Sequence, residues 1–338
     1  MIITQTPFRM SFFGGGTDFP DFYREHGGCV LSTTFDKYCY VTVRHLPRFF
    51  EYATEVSYSQ IERVSTADEL HHPAVREAMK FLDIHEIRLT YEADLPARTG
   101  LGTSSAFAVG MLNAFYALKG KYADRKKLAD EAIFLERVLC AESGGEQDQI
   151  ATSFGGFNRI DFAADGYTVS PVIVSPARKK ALHENLMLFF TGFSRDSFAI
   201  QQSTQAHLKD KTPELLEMLG LVDAAEKILT SEGDLDDFGR LLDVGWQLKR
   251  GLNSRISSDF IDVVYETAKR SGALGGKLLG AGGGGFVLLY VEKDRQQAVK
   301  DALEQLLYVP FDFENGGSRV LFYAPEPYDA RDDAEGGT

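Results

Sequence analysis

The sequence predicts two α+β domains, and three observations carry the prediction. Its 338 residues exceed what one core usually organises. Strand and helix patterns are interspersed without the regular alternation of a doubly wound sheet. A Pro- and Lys-bearing stretch divides the chain near its middle. The expected division is a first domain over residues 1–178, a second over 182–326, and a polar, mobile tail over 327–338.

Taken in order, the first ninety residues read mostly as strands: 1–13, 29–45 with its β-rich YCYVTVR, and 49–58. A helix over 73–82 and a strand over 87–91 follow. Residues 106–118, AFAVGMLNAFYAL, are apolar nearly all round, which marks a helix buried on every side. A second helix over 125–140 puts Leu128, Ala132, Leu135 and Leu139 on one stripe, and strands near 157–162 and 167–172 close this half. Ser175-Pro176-Ala177-Arg178-Lys179-Lys180 is the expected linker. Beyond it come a strand over 186–191, several helices between 195 and 270, strands near 274–279 and 286–291, a helix from Asp294, and closing strands to Phe322.

With 44% hydrophobic and 25% charged residues the composition is that of a globular chain. A net charge of -13 argues against a general nucleic-acid or anionic-membrane binder, which needs a basic face. Local basic groups and backbone dipoles can still make a phosphate pocket. Cys29, Cys39 and Cys140 form no metal-ligand cluster, and an odd count suits a reducing compartment. The N-terminus lacks the order of a signal peptide, and no apolar run approaches the ~18 residues of a membrane span, so the cytoplasm is the expected location. A homo-oligomer is the base-rate expectation.

Three glycine-rich segments carry chemistry. In Leu95 to Ala106 (LPARTGLGTSSA), Pro96, Gly100 and Gly102 keep the chain out of helix until Thr103 or Ser104. Such a helix start offers free N–H groups and roughly half a positive charge to an anion. An ordinary Ser/Thr cap after a loop is the plainer alternative. The second segment, Lys277 to Phe286 (KLLGAGGGGF), contains G-x-G-x-x-G, but an apolar strand follows the glycines where a dinucleotide fingerprint needs a helix. A hairpin or bulge is the alternative there, yet five glycines in six residues imply that something packs directly on the backbone. In the third, Pro7 to Asp18, Arg9 and Asp18 flank a glycine turn and can face one cavity, or form a surface ion pair around it. Asp237-Phe238-Gly239 lacks the companion motifs of a protein kinase, and Gly276-Lys277 lacks the Ser/Thr of a Walker loop.

These segments, in this order, resemble the GHMP kinases over nearly the whole chain. The family's P-x-x-x-G-L-G-S-S-A is similar to Pro96–Ser105, with Thr103 for the first serine and Ser105 where Ala is common. Gly144-Gly145-Glu146-Gln147-Asp148-Gln149 is similar to G-x-x-D-Q. Arg9 to Pro20, with His26-Gly27-Gly28 and residues 33–38, looks most like D-glycero-D-manno-heptose 7-phosphate kinases; fucokinases usually carry Trp where this chain has Gly16. The resemblance implies an N-terminal domain like ribosomal protein S5 domain 2, a ferredoxin-like C-terminal domain, and an active site in the cleft between them.

It also implies roles. ATP would be the co-substrate, held by Pro96, Gly100, Leu101, Gly102, Thr103, Ser104 and Ser105, with Ser104 and Glu136 binding Mg2+. Asp148 would be the base and Arg9 its counter-charge. Gly15, Gly16, Asp18, Asp148, Gly282 and Gly283 would bind the sugar phosphate, with Arg195 as the first choice for its 7-phosphate, ahead of Arg24, Arg178 and Lys179. Alternatives are an L-fucose or galactose type of sugar-1-kinase and a non-catalytic sugar or nucleotide sensor on the same fold. A sensor would not need Asp148, Arg9 and the magnesium pair together. A nicotinamide oxidoreductase is disfavoured by the order of strand and glycines.

Overall fold

A computed structural model describes residues 1–47, 49–97, 99–192, 200, 202, 203, 205 and 208–325. Its first sheet contains β1 (Ile2–Phe13), β2 (Gly28–His45), β3 (Thr54–Ser57), β4 (Ile61–Val64), β5 (Ile87–Ala93), β6 (Phe157–Ala163) and β7 (Gly166–Pro171). The second is antiparallel and contains β8 (Leu186–Gly192), β9 (Ala273–Leu278), β10 (Gly285–Val291) and β11 (Leu307–Tyr308), in the order β11-β8-β10-β9. The helices are α1 (Pro20–His26), α2 (Pro73–Leu82), α3 (Thr103–Leu118), α4 (Arg125–Ile133), α5 (Gln147–Phe154), α6 (Pro176–Glu184), α7 (Thr212–Thr230), α8 (Asp236–Leu252), α9 (Asp259–Arg270) and α10 (Gln296–Ala302). None of the described helices is long and apolar enough to cross a membrane.

Strand β2 organises the first sheet. One half pairs with β5, the other with β6, and β1 runs antiparallel along most of its length. The apolar α3 packs across β1 and β2, and every residue of it except Ser104 is buried. Close approach is needed there: a Cβ on Gly110 would lie 2.8 Å from Thr6 Oγ1, and the Thr4 hydroxyl donates to the Gly110 carbonyl at 2.9 Å. In the second unit α8 lies on β9, where a Cβ on Gly275 would sit 2.0 Å from the Gly239 carbonyl oxygen.

Three expectations are corrected. The linker is helical: the Ser175 hydroxyl accepts from the Arg178 N–H and Pro176 occupies the first turn of α6, where its fixed φ and missing N–H favour a helix start. The expected 125–140 helix continues beyond α4 as a π-helical segment, Phe134–Leu139. The second domain does not keep residues 182–326 to itself. Strands β12 (Phe313–Glu314) and β13 (Arg319–Tyr323) return to the first sheet, pairing with β2 and β1 respectively. There they extend a ladder whose partner groups would otherwise lie at an edge. The expected tail 327–338 lies outside the described residues.

Candidate active site

Everything in the site converges on the start of α3. Gly102 precedes the helix with φ 71°, and the Thr99 hydroxyl closes the preceding turn onto the Pro96 carbonyl at 2.8 Å. Because the remainder of α3 is buried, the helix is fixed, and Ser104 alone on it meets solvent. Its first-turn amides and dipole are therefore held rigidly at the surface of the first sheet, as an anion site requires.

The loop Gly280–Gly285 covers the segment before α3, the expected phosphate loop. A Cβ on Gly280 would lie 2.2 Å from the Gly100 Cα, and one on Gly285 would lie 2.2 Å from the Thr99 carbonyl oxygen. Backbone thus packs on backbone, which is the reason for so many glycines. The two substrate contacts expected in this loop, Gly282 and Gly283, are not among the residues that line the cleft: Gly280 and Ala281 line it, whereas Gly282 packs on Ile256 and the Gly283 N–H donates to the Ile256 carbonyl at 3.0 Å.

Beneath the loop, Arg9 reaches from β1. Its Nε and Nη2 donate to the two carboxylate oxygens of Asp148, each at 2.8 Å, and its Nη1 donates to the Gly100 carbonyl at 2.7 Å. The backbone N–H of Arg9 donates to the Leu101 carbonyl at 3.1 Å. One buried guanidinium therefore joins the phosphate loop to Asp148, in the fork geometry that arginine alone supplies. Asp148 sits in the first turn of α5 and its side chain is 22% exposed, open enough to meet a ligand.

Asp18 ties the glycine turn to the same helix. Its carboxylate accepts from the Gly16 N–H at 2.9 Å and the Gln147 N–H at 3.2 Å, and it is 2% exposed. A Cβ on Gly145 would lie 2.0 Å from Asp18 Oδ2, so a glycine is needed over it. Burial raises the Asp18 carboxyl above its ordinary pKa; the Gly16 N–H opposes the shift and the charge of Asp148 adds to it. Gly15, Gly16, Asp18 and Asp148 all line one cleft.

Glu136 enters from the π-helical segment and is 2% exposed. Leu135 and Glu136 are the two buried residues of this segment. Glu136 accepts from the Ser104 hydroxyl at 2.9 Å, the Ser105 hydroxyl at 2.8 Å and the Gln149 amide. This carboxylate and hydroxyl are hard oxygen donors that fit Mg2+. Among the described residues no three His, Cys, Asp or Glu side chains are grouped to hold a metal, so such an ion would complete its shell from phosphate and water.

The structure adds groups that sequence reasoning missed. Lys249, from the last turn of α8, donates to the Gly280 and Leu278 carbonyls, and Lys277 on β9 donates to the Phe12 carbonyl at 2.8 Å. Both line the cleft with Arg137, whose Nη2 donates to the Gly145 carbonyl at 2.6 Å. Ser11 Oγ and Gln147 Oε1 face the same region, buried and with no hydrogen-bond partner among the described residues. Lys277, just before the glycine loop, had a visible sequence position. Lys249 had none, lying in an ordinary amphipathic helix. Arg195, the expected phosphate ligand, lies outside the described residues.

The GHMP kinase N-terminal domain model matches residues 68–156, and the GHMP kinase C-terminal model matches 221–309. The chain belongs to the GHMP kinases. The first match contains the phosphate loop, Glu136 and Asp148; the second contains Lys249, Lys277 and the glycine loop. This GHMP kinase is 28% identical over 339 residues to a D-glycero-alpha-D-manno-heptose 7-phosphate kinase of Campylobacter jejuni, covering 94% of this chain and 97% of that protein. It is 26% identical to the L-fucokinase/L-fucose-1-P guanylyltransferase of Bacteroides fragilis over 88% of this chain, spanning only 35% of that longer protein. In fold it is similar to a D-glycero-D-manno-heptose 1-phosphate kinase from Bacteroides thetaiotaomicron, with TM-score 0.77, 23% identity, and coverage of 96% of this chain and 100% of that one. The enzyme is a phosphotransferase, a sugar kinase of this family.

Proposed function

We propose that this GHMP kinase transfers the γ-phosphoryl group of ATP to the anomeric C1 hydroxyl of D-glycero-D-manno-heptose 7-phosphate. The product is the 1,7-bisphosphate, made in the cytoplasm on the way to nucleotide-activated heptose for surface polysaccharide. The observation that carries the kinase reading is the Arg9 clamp, which holds Asp148 and the Gly100 carbonyl with one guanidinium. An acceptor hydroxyl at Asp148 then lies beside a phosphate held at the start of α3. The heptose reading is supported by the Campylobacter jejuni relative, which matches along the length of both chains, and by Gly16.

In this reading Asp148 accepts the proton of the C1 hydroxyl while the sugar oxygen bonds to the γ-phosphorus. The bond to the β–γ bridging oxygen breaks, ADP departs, and the proton passes from Asp148 to water. Arg9 orients the carboxylate and offsets charge at the reacting centre. Ser104 and Glu136 would hold Mg2+, which when bound would supply charge neutralisation for the phosphate oxygens. Amides from Gly100 to Ser105 orient the triphosphate, and Gly15, Gly16 and Asp18 shape the sugar end.

A panel of sugars and sugar phosphates, assayed for magnesium-dependent ADP release, tests the proposal. Release should require an added sugar and be fastest with the heptose 7-phosphate. A higher kcat/KM with L-fucose or galactose would reassign the acceptor, and sugar-independent or absent release would leave a sensor.

A further inference from the structure

The cleft holds more positive charge than the chemistry above employs. Arg9, Arg137, Lys249 and Lys277 face Asp18 and Asp148 across it, so four cationic side chains meet two carboxylates in a chain whose net charge is -13. Arg9 is committed to Asp148 and to the loop. Among the described residues the two lysines are hydrogen-bonded to no carboxylate: both donate to backbone carbonyls. Lys277 is 7% exposed, and an ammonium carries three donors, of which one is used there. A buried cation without a counter-charge is costly unless a ligand brings the anion.

The position of the pair says which anion. Their cleft is lined by the acceptor-side residues Gly16, Asp18, Gln147 and Asp148, and by neither Thr103, Ser104 nor Ser105. The nucleotide phosphates have the helix start and the Ser104–Glu136 pair instead. Phe19, Leu252 and Ile256 add an apolar wall along the same cleft, suited to the carbon skeleton of a sugar.

We propose that Lys249 and Lys277 form the subsite for the phosphate that the acceptor sugar already carries, a phosphomonoester distant from the hydroxyl that is phosphorylated. This rests on the reading of the protein as a kinase of a sugar phosphate. The two lysines thereby set specificity for a phosphorylated over a free sugar. They are binding residues and take no part in the proton transfer.

Steady-state kinetics on Lys249→Met, Lys277→Met and Arg137→Met test the assignment, with heptose 7-phosphate, free heptose and ATP each varied. Losing one charge-assisted contact should raise KM for the phosphorylated sugar roughly 10- to 100-fold in each lysine variant. KM for ATP and for free heptose should change about twofold or less. Equal rises for both sugars, a rise confined to ATP, or a phosphate-specific rise only in Arg137→Met overturns it. The wild-type enzyme gives a second readout that depends on no variant folding. Inorganic phosphate should compete with the sugar phosphate and not with ATP, and competition with ATP alone contradicts the subsite. If the wild-type enzyme turns over no phosphorylated sugar at all, the underlying functional reading fails instead, and the two failures are told apart by that control.

Discussion

In the proposed mechanism Arg9 and Asp148 decide whether the site works, because Arg9 joins the carboxylate proposed as the base to the loop that precedes α3. Asp148→Asn keeps the shape but removes the proton acceptor, so kcat should fall by about 10² to 10⁴ with KM for ATP nearly unchanged. A variant within threefold of wild type in kcat would remove Asp148 from that role. Arg9→Lys keeps the charge and loses the fork, since an ammonium cannot hold both carboxylate oxygens and the Gly100 carbonyl in one plane. Its kcat/KM should drop roughly 10- to 100-fold, and a drop below twofold would mean that charge alone suffices. That Arg9 could face a cavity beside a glycine turn and that Ser104 would stand at the start of a buried helix were legible in the residues themselves, whereas Asp148 was singled out only by the resemblance of Gly144–Gln149 to G-x-x-D-Q. That Asp18 faces one cleft with Arg9 was legible, but not its place as the brace between Gly16 and Gln147, which requires the third dimension.

Among elements, the contact of two glycine loops holds together the end of the site proposed to take the nucleotide. Gly100 has φ 82° and its Cβ would lie 2.3 Å from the Leu279 carbonyl oxygen, so both conformation and space exclude a side chain. Gly100→Ala should cost about 1–3 kcal/mol and weaken protection by ATP in thermal melts. Gly220→Ala is the counterpart: it lies within α7 with open space around its Cβ position, and should stabilise by about 0.5–1 kcal/mol. Equal melting shifts for the two variants would refute the packing argument. Periodicity revealed most elements, among them β1, β2, α2, α3, β8, β9 and β10. It could not reveal the π-helical segment, because the apolar stripe of Leu128, Ala132 and Leu135 reads identically whether or not the next turn widens. Pro176 misled for a definite reason: the same residue that breaks a helix interior begins one when a serine precedes it.

For the whole molecule, the return of β12 and β13 to the first sheet makes the chain cross between its two units more than once, and no local sequence signal encodes that crossing. The units meet where Lys249 and Lys277 from the second face Arg9, Asp18 and Asp148 from the first. Burial pushes Lys249 down to about 8 from an ordinary 10.5; Arg9 adds to the shift, while Asp18 and Asp148 oppose it. Burial likewise holds Lys277 well below the ordinary lysine range, with Lys249 and Arg9 adding to the shift. Below pH 8 Lys249 is protonated in both the folded and unfolded chain, and the fold bears the full cost of burying the charge. Between about 8 and 10.5 the folded form releases its proton first, so that cost fades as pH rises. Without ligand, Lys249→Met should therefore melt roughly 1–3 °C above wild type at pH 7, with the gap closing toward pH 10. A wild type that is the more stable at pH 7, or a gap that does not change with pH, would contradict this electrostatic picture.

The most direct test of the account is phosphorus NMR of a reaction containing the enzyme, ATP, Mg2+ and D-glycero-D-manno-heptose 7-phosphate. The account predicts ADP together with a new resonance coupled to the anomeric proton, with the 7-phosphate signal retained. A phosphate on any other oxygen of that sugar, or ADP formed without a new sugar phosphate, would contradict it.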